Sequence, residues 1–216
     1  MGFSVHGRAG DTACLIPHLE NLRTHFGCLP KNIVTDAGYG SEENYAYLEQ
    51  HSLGNFLKYN TFYQDTHHFR KAELLRKRKF LAENFEYDPD QDEFICPAKQ
   101  RLLFQSTSRY TTENGYLTLR RIYECPLKPE CTKAKGNRTI RISLRLLEYR
   151  HQARANLTTE QGQRLRAKRS TEVETVFGIV KHNMGFRRFH LRGQDKVTTE
   201  WGLVSIAHNL KKLAAI

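Results

Sequence analysis

The chain has 216 residues, of which 39% are hydrophobic and 11% aromatic, so it can bury the core of one large domain or two small ones. Lysine and arginine total 34 against 23 acidic residues, and the formal net charge of +11 indicates a polyanionic partner, either nucleic acid or an anionic membrane. No run reaches the roughly 18 consecutive apolar residues of a membrane span, and the amino terminus lacks a signal-peptide core, which predicts a cytoplasmic protein without a membrane partner.

The first predicted element is an amphipathic helix. Apolar residues recur at helical spacing between Leu15 and Phe26, and Gly27 closes the pattern. Asp11 stands just before this run, in the usual place of a helix N-cap, and we predict that role for its side chain. A catalytic carboxylate is the alternative role for Asp11.

A strand and a glycine-rich turn come next. The run from Asn32 to Thr35 predicts a strand, and Asp36 follows at its carboxyl end, before Gly38 and Gly40. A carboxylate there can project into a cleft where a ligand or metal must come close. These residues alone favour a simple turn, with Ser41 capping the following helix.

The next two elements complete a strand–helix–strand unit. A helix is predicted from Glu42 to His51, and the run from Asn55 to Tyr59 is a compact strand signal. The second strand is expected to lie parallel to the first, since a helical crossover joins them.

Short strands predominate over residues 63–145. A basic helix is predicted from Phe69 to Leu81, and its charged face is either solvated or in contact with a DNA backbone. Turn residues between Phe85 and Cys96 predict a hairpin. Further strands are predicted near Leu102 to Gln105, Tyr116 to Tyr123 and Ile140 to Leu144.

The cysteines of this region do not match a zinc motif. A structural zinc ion needs four ligands, usually in close pairs, but five residues separate Cys125 from Cys131 and only Cys96 accompanies them. The spacing argues against structural zinc. The total of five cysteines is odd, which favours reduced thiols over a disulfide framework.

Three helices are predicted in the last part of the chain: Leu147 to Leu165, Arg169 to Phe189 and Thr199 to Ile216. The middle helix has an apolar stripe that must face a core, because its members recur at helical spacing. That stripe consists of Val173, Phe177, Val180 and Met184. The last helix is expected to cover a sheet face with Trp201, Val204, Ala207 and Leu210.

A second line of residues on the middle helix carries charge. Glu174 and Lys181 return to the same side, because seven residues make nearly two turns, and Gly178 leaves bare backbone between them. This patch lets a polyanion approach closely, although an ordinary solvated charge pair explains the spacing equally well. Downstream arginines supply positive charge for phosphates: Arg187, Arg188 and Arg192.

Three motifs together resemble the carboxy-terminal part of a bacterial insertion-sequence transposase of the DDE type. The first is Arg-x-x-x-Val-Glu-x-x-Phe-Gly-x-x-Lys, which starts at Arg169 and is followed by Gly-Phe-Arg-Arg-Phe and Arg-Gly. The second is Asp-Ala-Gly-Tyr-Gly-Ser, which starts at Asp36. The third comprises Glu200-Trp201 and the His-Asn-Leu run at His208.

The resemblance implies an α/β fold, with a ribonuclease H-like mixed sheet that helices flank and a β-rich insertion interrupts. Residues 1–62 and 146–216 then form the catalytic domain, and residues 63–145 form the insertion. The implied activity is metal-dependent DNA cleavage and strand transfer at transposon ends, with Mg²⁺ or Mn²⁺ held by clustered carboxylates.

The same resemblance implies roles for individual residues. Asp36 and Glu174 match two of the three metal-binding acids of the family, and Lys181 matches the lysine that follows the glutamate. Glu172 lacks that lysine spacing and is the less favoured glutamate. The implied DNA-binding residues are Arg166, Arg169, Arg187, Arg188 and Arg192.

One acid of the family pattern has no counterpart here. The family's first aspartate lies on a strand upstream of the position of Asp11, and only Met1 to Gly10 precede it. We therefore expect a truncated or decayed copy whose isolated chain neither nicks nor joins DNA. The alternative is a non-catalytic fragment that binds DNA or dimerises, with a second copy or a full-length transposase as partner. A nuclease of ribonuclease H-like fold, unrelated to transposition, is a third hypothesis.

Overall fold

The structure, a computed structural model, describes residues 2–66, 79–109, 116–121 and 125–214. The chain divides into two compact units, one made of Met1–Asn60 with Gln152–Ile216 and one made of Thr61–His151. The basic helix predicted to begin at Phe69 lies outside the described residues over positions 69–78. Within the described ranges, no helix is both long and apolar enough to cross a membrane.

Helix α1 (Leu15–Phe26) opens the first unit with the bounds that the sequence predicts. Its buried residues include Leu15 and Leu19, in keeping with the apolar pattern. Gly27 ends the helix in the left-handed conformation, with φ of 72°, and its N–H donates to the carbonyl of Arg23.

The predicted strand–helix–strand unit is confirmed. Strands β1 (Asn32–Thr35) and β2 (Gly54–Leu57) pair in parallel, and helix α2 (Glu42–Gln50) lies between them in the chain. The Ser41 hydroxyl accepts a hydrogen bond from the backbone N–H of Asn44, which confirms the predicted cap.

The second unit is built on an antiparallel sheet of five strands in chain order. The predicted hairpin is confirmed, because β3 (Glu86–Asp88) pairs with β4 (Glu93–Ile95). Short helices α3 (Phe62–Thr66) and α4 (Lys128–Cys131) belong to the same unit. The remaining strands are β5 (Arg101–Arg109), β6 (Tyr116–Arg121) and β7 (Thr139–Ile142).

Apolar side chains from this sheet form the core of the second unit. Phe94 is fully buried, and its ring centroid lies 4.9 Å from that of Tyr87 on the neighbouring strand. The chain is α/β, as predicted. The described strands form a parallel sheet in one unit and an antiparallel sheet in the other, rather than the single mixed sheet that the resemblance implies. The buried cluster comprises Phe85, Phe94, Cys96, Leu102, Ile140 and Ile142.

The single helix predicted from Leu147 to Leu165 is in fact two, α5 (Leu144–Thr158) and α6 (Glu160–Gly178). Thr159 separates them with an extended backbone, and its side chain accepts a hydrogen bond from the N–H of Gly162 at 3.0 Å. Glycine is required at 162, since a Cβ atom would lie 2.2 Å from a carbonyl oxygen of α5. A local cap therefore interrupts a continuous helical pattern.

Helix α6 does not continue to Phe189 as predicted. It passes into one π-helical turn, Ile179–Asn183, and the chain turns at Gly185, where φ is 70°. A π turn inserts a residue into the helical repeat, so the part of the predicted apolar stripe that follows Gly178 loses its register. Val180 is buried but Phe177 is 43% exposed, which corrects the prediction that both face a core.

Helix α7 (Gln194–Leu213) begins earlier than predicted and turns a different face inward. Ser205 and His208 are buried, and they follow Trp201 by four and seven positions, which places them on its side of the helix. The predicted stripe repeats every three residues, so it drifts by about 60° at each step. Leu210 is consequently 60% exposed, and the prediction that it covers a sheet is wrong.

Candidate active site

Asp36 lies at the carboxyl end of β1 and opens a tight turn. Its backbone is extended and its side chain is 52% exposed. Asn44 holds the turn in place, because its buried side-chain amide donates to the carbonyls of Tyr39 and Thr12, each at 2.8 Å. Gly40 leaves room for the chain, since a Cβ atom there would lie 2.7 Å from a carbonyl oxygen that follows β2.

Two cationic side chains hold the carboxylate of Asp36. The guanidinium of Arg169, on α6, donates to Oδ2 at 2.5 Å, and Nζ of Lys58 lies 3.6 Å from Oδ1. The Lys58 side chain is only 9% exposed and directly follows β2. The sequence motifs do not include Lys58, although a single cation at the end of a largely apolar strand is a signal for such a residue. Each oxygen of Asp36 therefore lies beside one cation.

A cavity of about 1100 Å³ opens beside this ion pair in the first unit. Its wall includes Asp36, Arg169 and Glu172, together with residues of α7 such as Trp201 and His208. The segment before α1 contributes as well. The cavity is thus lined by the carboxyl end of β1 and by helices α6 and α7, which carry predicted motifs.

The two candidate glutamates on α6 lie on different sides of the helix. Glu172 follows Arg169 by three positions and shares its side, and it lines the cavity with Asp36. Glu174 follows Arg169 by five positions, about 140° round the helix, and it is exposed. As described, the cavity wall includes Glu172 and does not include Glu174. Asp36, Arg169 and Glu172 thus line one cavity, although the Glu172 carboxylate is exposed and pairs with Lys168.

Asp11 does not act as the predicted side-chain cap. Its carbonyl accepts the N–H of Cys14 at 2.9 Å, but its carboxylate makes no capping hydrogen bond. Instead Oδ2 lies beside Gly38, 3.0 Å from the position that a Cβ atom would occupy. Burial raises the pKa of Tyr39, and the charges of Asp11 and Asp36 raise it further. Asp11 therefore lies at the same turn as Asp36, in keeping with its alternative role.

The predicted DNA-contacting residues of α6 and the π turn differ in exposure. Arg166 and Arg169 are half-buried, and Arg169 takes part in the ion pair described above. Lys181 is exposed, with its Nζ 5.6 Å from the ring centroid of Phe177. Gly178 borders open space, because a Cβ atom there would meet nothing within 4 Å beyond its own helix.

The loop between the π turn and α7 is anchored to α7. Glu200 accepts hydrogen bonds from the backbone N–H groups of His190 and Leu191, at 2.9 and 3.1 Å. Two phenylalanines of the loop pack against Trp201, with ring centroids 5.9 and 6.1 Å away. This loop carries three of the predicted DNA-binding residues, all exposed: Arg187, Arg188 and Arg192.

Three polar side chains form a hydrogen-bonded cluster in the cavity wall. The hydroxyl oxygen of Ser4 lies 2.7 Å from Nε2 of His6 and 2.8 Å from Nδ1 of His18. Burial lowers the pKa of His18, and the nearby charge of His6 lowers it further. The folded state therefore favours the neutral form of His18.

Replacing His18 by glutamine is expected to make stability less sensitive to acid. Because the folded-state pKa lies below the ordinary value of 6.5, the unfolded chain takes up a proton more readily. The contribution of His18 is fully present above pH 6.5 and is lost as the pH falls through the folded-state pKa. Urea unfolding at about pH 8 and about pH 5 measures this loss. An equal acid loss in H18Q and in H25Q, an exposed histidine of the same helix, would contradict the assignment.

The described arrangement does not fit a bound divalent metal. Both oxygens of Asp36 face cations, and within the described ranges no three side chains of His, Cys, Asp or Glu are grouped to hold a metal ion.

In the second unit, Cys125 packs against the core that contains Cys96. Burial raises the pKa of the Cys131 thiol, an effect that Arg138 opposes.

A family model described as a transposase DDE domain matches residues 95–214 of the chain. The match covers more than half of the 216 residues and includes Glu174 and Lys181, whereas Asp36 precedes it. The chain belongs to this transposase family, which confirms the resemblance and implies DNA as the partner. A search of curated proteins and a search of solved structures each returned no match.

Proposed function

We propose that the chain acts in DNA transposition as the catalytic part of a DDE transposase, a family that cleaves phosphodiester bonds and transfers strands; the inactivity expected of the isolated chain stays a prediction. The observation that carries the proposal is the family match over residues 95–214. The position of Asp36, at a strand end beside α6, supports it, since such strand ends commonly carry functional groups. We place the site in a ribonuclease H-like domain, to which the parallel pair β1 and β2 would belong.

The proposed catalytic residues are Asp36, Glu174 and Lys181, because they match the family pattern. The two acids would hold Mg²⁺ or Mn²⁺ only in an arrangement other than the described one, in which the cavity wall includes Asp36 and not Glu174. A bound divalent metal would supply the activation of a water or a 3′-hydroxyl. Lys181 is exposed beside the open backbone of Gly178, so a DNA strand can approach it closely. The arginines of the loop before α7 would bind phosphates without reading sequence.

Transposition of a marked element in bacterial cells tests this function. The marker is flanked by the DNA that borders the gene, and excision and integration are counted. D36N and E174Q are each expected to lower the frequency by about a hundredfold, because each removes a negative ligand oxygen. E172Q is the matched control, two positions away on α6, and is expected to transpose normally. Loss with E172Q and not with E174Q would transfer the role to Glu172.

A second function, DNA binding without catalysis, is favoured by the ion pairs that Asp36 makes with Arg169 and Lys58. Its two oxygens lie beside Arg169 and Lys58, so a metal ion at this carboxylate would meet two positive charges in this arrangement. This function predicts DNA binding with no transposition by the unaltered chain. It also predicts that D36N leaves DNA affinity unchanged, which a binding titration measures.

A further inference from the structure

Helix α7 leaves one apolar side exposed to solvent. Four large aliphatic side chains on that side are each between 56% and 67% exposed. The buried residues Ser205 and His208 lie on the opposite side of the helix, which packs on the first unit. We call the exposed side the α7 seam, and its members are Leu203, Ile206, Leu210 and Leu213.

The members of the seam recur at spacings of three, four and three residues. This is the heptad spacing by which two helices pack along each other, because a mean spacing of about 3.5 keeps the apolar side chains in one line. Gly202, Ala207 and Asn209 flank the central part of the seam and are small or uncharged. A second helix can therefore approach closely without burying an ionised group.

The charge of the chain decides which partner suits the seam. The net charge is +11, yet positions 203–210 hold no Asp, Glu, Lys or Arg. A surface without cations does not neutralise phosphates, so this side of α7 is not a DNA contact. Its spacing is complementary to itself, which is the property that an interface between two copies of one chain requires.

The two ends of α7 differ in charge, and this difference selects an orientation. Asp195 and Glu200 outweigh Lys196 in the first half of the helix, whereas Lys211 and Lys212 lie in its last turn. In a parallel pair the terminal lysines of both copies would lie together and repel each other. In an antiparallel pair each lysine end lies toward the acidic half of the other helix.

We propose that α7 is a dimerisation helix, whose seam packs antiparallel on the same seam of a second copy of the chain. Leu203 of each copy then faces Leu213 of the other, and Ile206 faces Leu210. The seam exposes an apolar area on the order of 350 Å² per copy. With the flanking residues, a pair buries on the order of 1,000 Å² in total, at the small end of specific interfaces.

This interface is separate from the proposed site. It uses none of the proposed catalytic residues and none of the arginines proposed to bind DNA. Its size predicts a dimer that dissociates at concentrations on the order of 10 μM. The seam therefore joins two copies reversibly, whether or not the chain cleaves DNA.

Sedimentation velocity of the full chain, between about 1 and about 100 μM, tests the seam. Leu203→Glu is expected to weaken dimerisation by about a hundredfold, because each pair would bury two carboxylates against leucine. Leu210→Glu changes a second position of the seam and should act alike. Phe26→Glu is the matched control, since Phe26 on α1 is 65% exposed, as Leu203 is, and gains the same charge. This control should dimerise as the unaltered chain does.

A double variant tests the orientation. In an antiparallel pair of L203E/L213K, the introduced glutamate of one copy faces the introduced lysine of the other. This variant should dimerise about tenfold more tightly than L203E alone. Weaker dimerisation than that of L203E would overturn the antiparallel order, because a parallel pair sets like charges side by side.

Salt separates the seam from association through residual nucleic acid. Salt screens the repulsion between two copies of charge +11, so the dimer should persist or strengthen between about 50 and about 200 mM salt. Copies bridged by nucleic acid would instead separate as salt rises. A monomer at every concentration, dissociation by salt, or equal dimerisation by L203E, L210E and the unaltered chain overturns the proposal.

Discussion

DNA binding by this chain is expected to weaken by about a thousandfold when salt rises from about 50 mM to about 200 mM. The net charge of +11 predicts several phosphate contacts, and each contact releases counterions whose return is favoured by salt. Fluorescence anisotropy with two duplexes of unrelated sequence measures both the slope and its independence of sequence. If the affinity for DNA does not change with salt concentration, the basic surface does not bind phosphates and its charges are only solvated.

The loop before α7 is expected to supply a large part of this slope. Replacing its three exposed arginines by alanine should lower the slope by about 2.7, since each neutralised phosphate contributes about 0.9. A control triple variant removes the same charge from exposed positions in the amino-terminal part of the chain. An equal change of slope in both variants would contradict a specific role for the loop. The loop variant is R187A/R188A/R192A and the control is R8A/R23A/K31A.

Replacing Phe94 by alanine is expected to lower the free energy of unfolding of the second unit by about 3–5 kcal/mol. Phe94 is fully buried, packs against the ring of Tyr87 and faces Leu102 in the register of β4 with β5. Its loss removes apolar burial and leaves a cavity that a paired sheet cannot readily close. Phe104, on β5, is 47% exposed, and its replacement by alanine should cost less than about 1 kcal/mol.

Urea unfolding followed by two signals measures this effect. Far-ultraviolet circular dichroism reports the loss of sheet, while the fluorescence of Trp201, the one tryptophan of the chain, reports the first unit. We expect F94A to shift the circular dichroism transition strongly and F104A to leave it near that of the unaltered chain. Equal shifts for the two variants would mean that burial of Phe94 does not stabilise the sheet.

Local patterns were sufficient to predict much of the fold. The helix that Gly27 ends, the strand before Asp36 and the cap at Ser41 all depend on residues that are close in sequence. The hairpin around Asp88 follows from turn residues between two short apolar runs. Each of these features has a signal within a few positions of the chain, even though the strand itself pairs with β2, Asn32 opposite Gly54.

Periodicity failed where a backbone irregularity changed the helical register. The π turn after Gly178 and the cap at Thr159 each interrupt a run whose apolar spacing alone predicts a continuous helix. Helix α7 also buries a different face from the predicted one. Trp201 packs against aromatic residues of the loop before the helix, and this packing sets the buried face. The spacing of apolar residues within α7 could not indicate this face, since the residues that Trp201 packs against lie outside the helix.

For the site, the sequence by itself determined which residue types are present and which family they indicate. Asp36 at a strand end and Glu174 with Lys181 on a helix could be named from spacing and resemblance, and their catalytic roles stay predictions. Only the tertiary structure decided that Arg169 and Lys58 meet the carboxylate of Asp36. The physical reason is distance along the chain: ion pairs between residues far apart depend on how α6 packs against β1, and no local pattern records that packing.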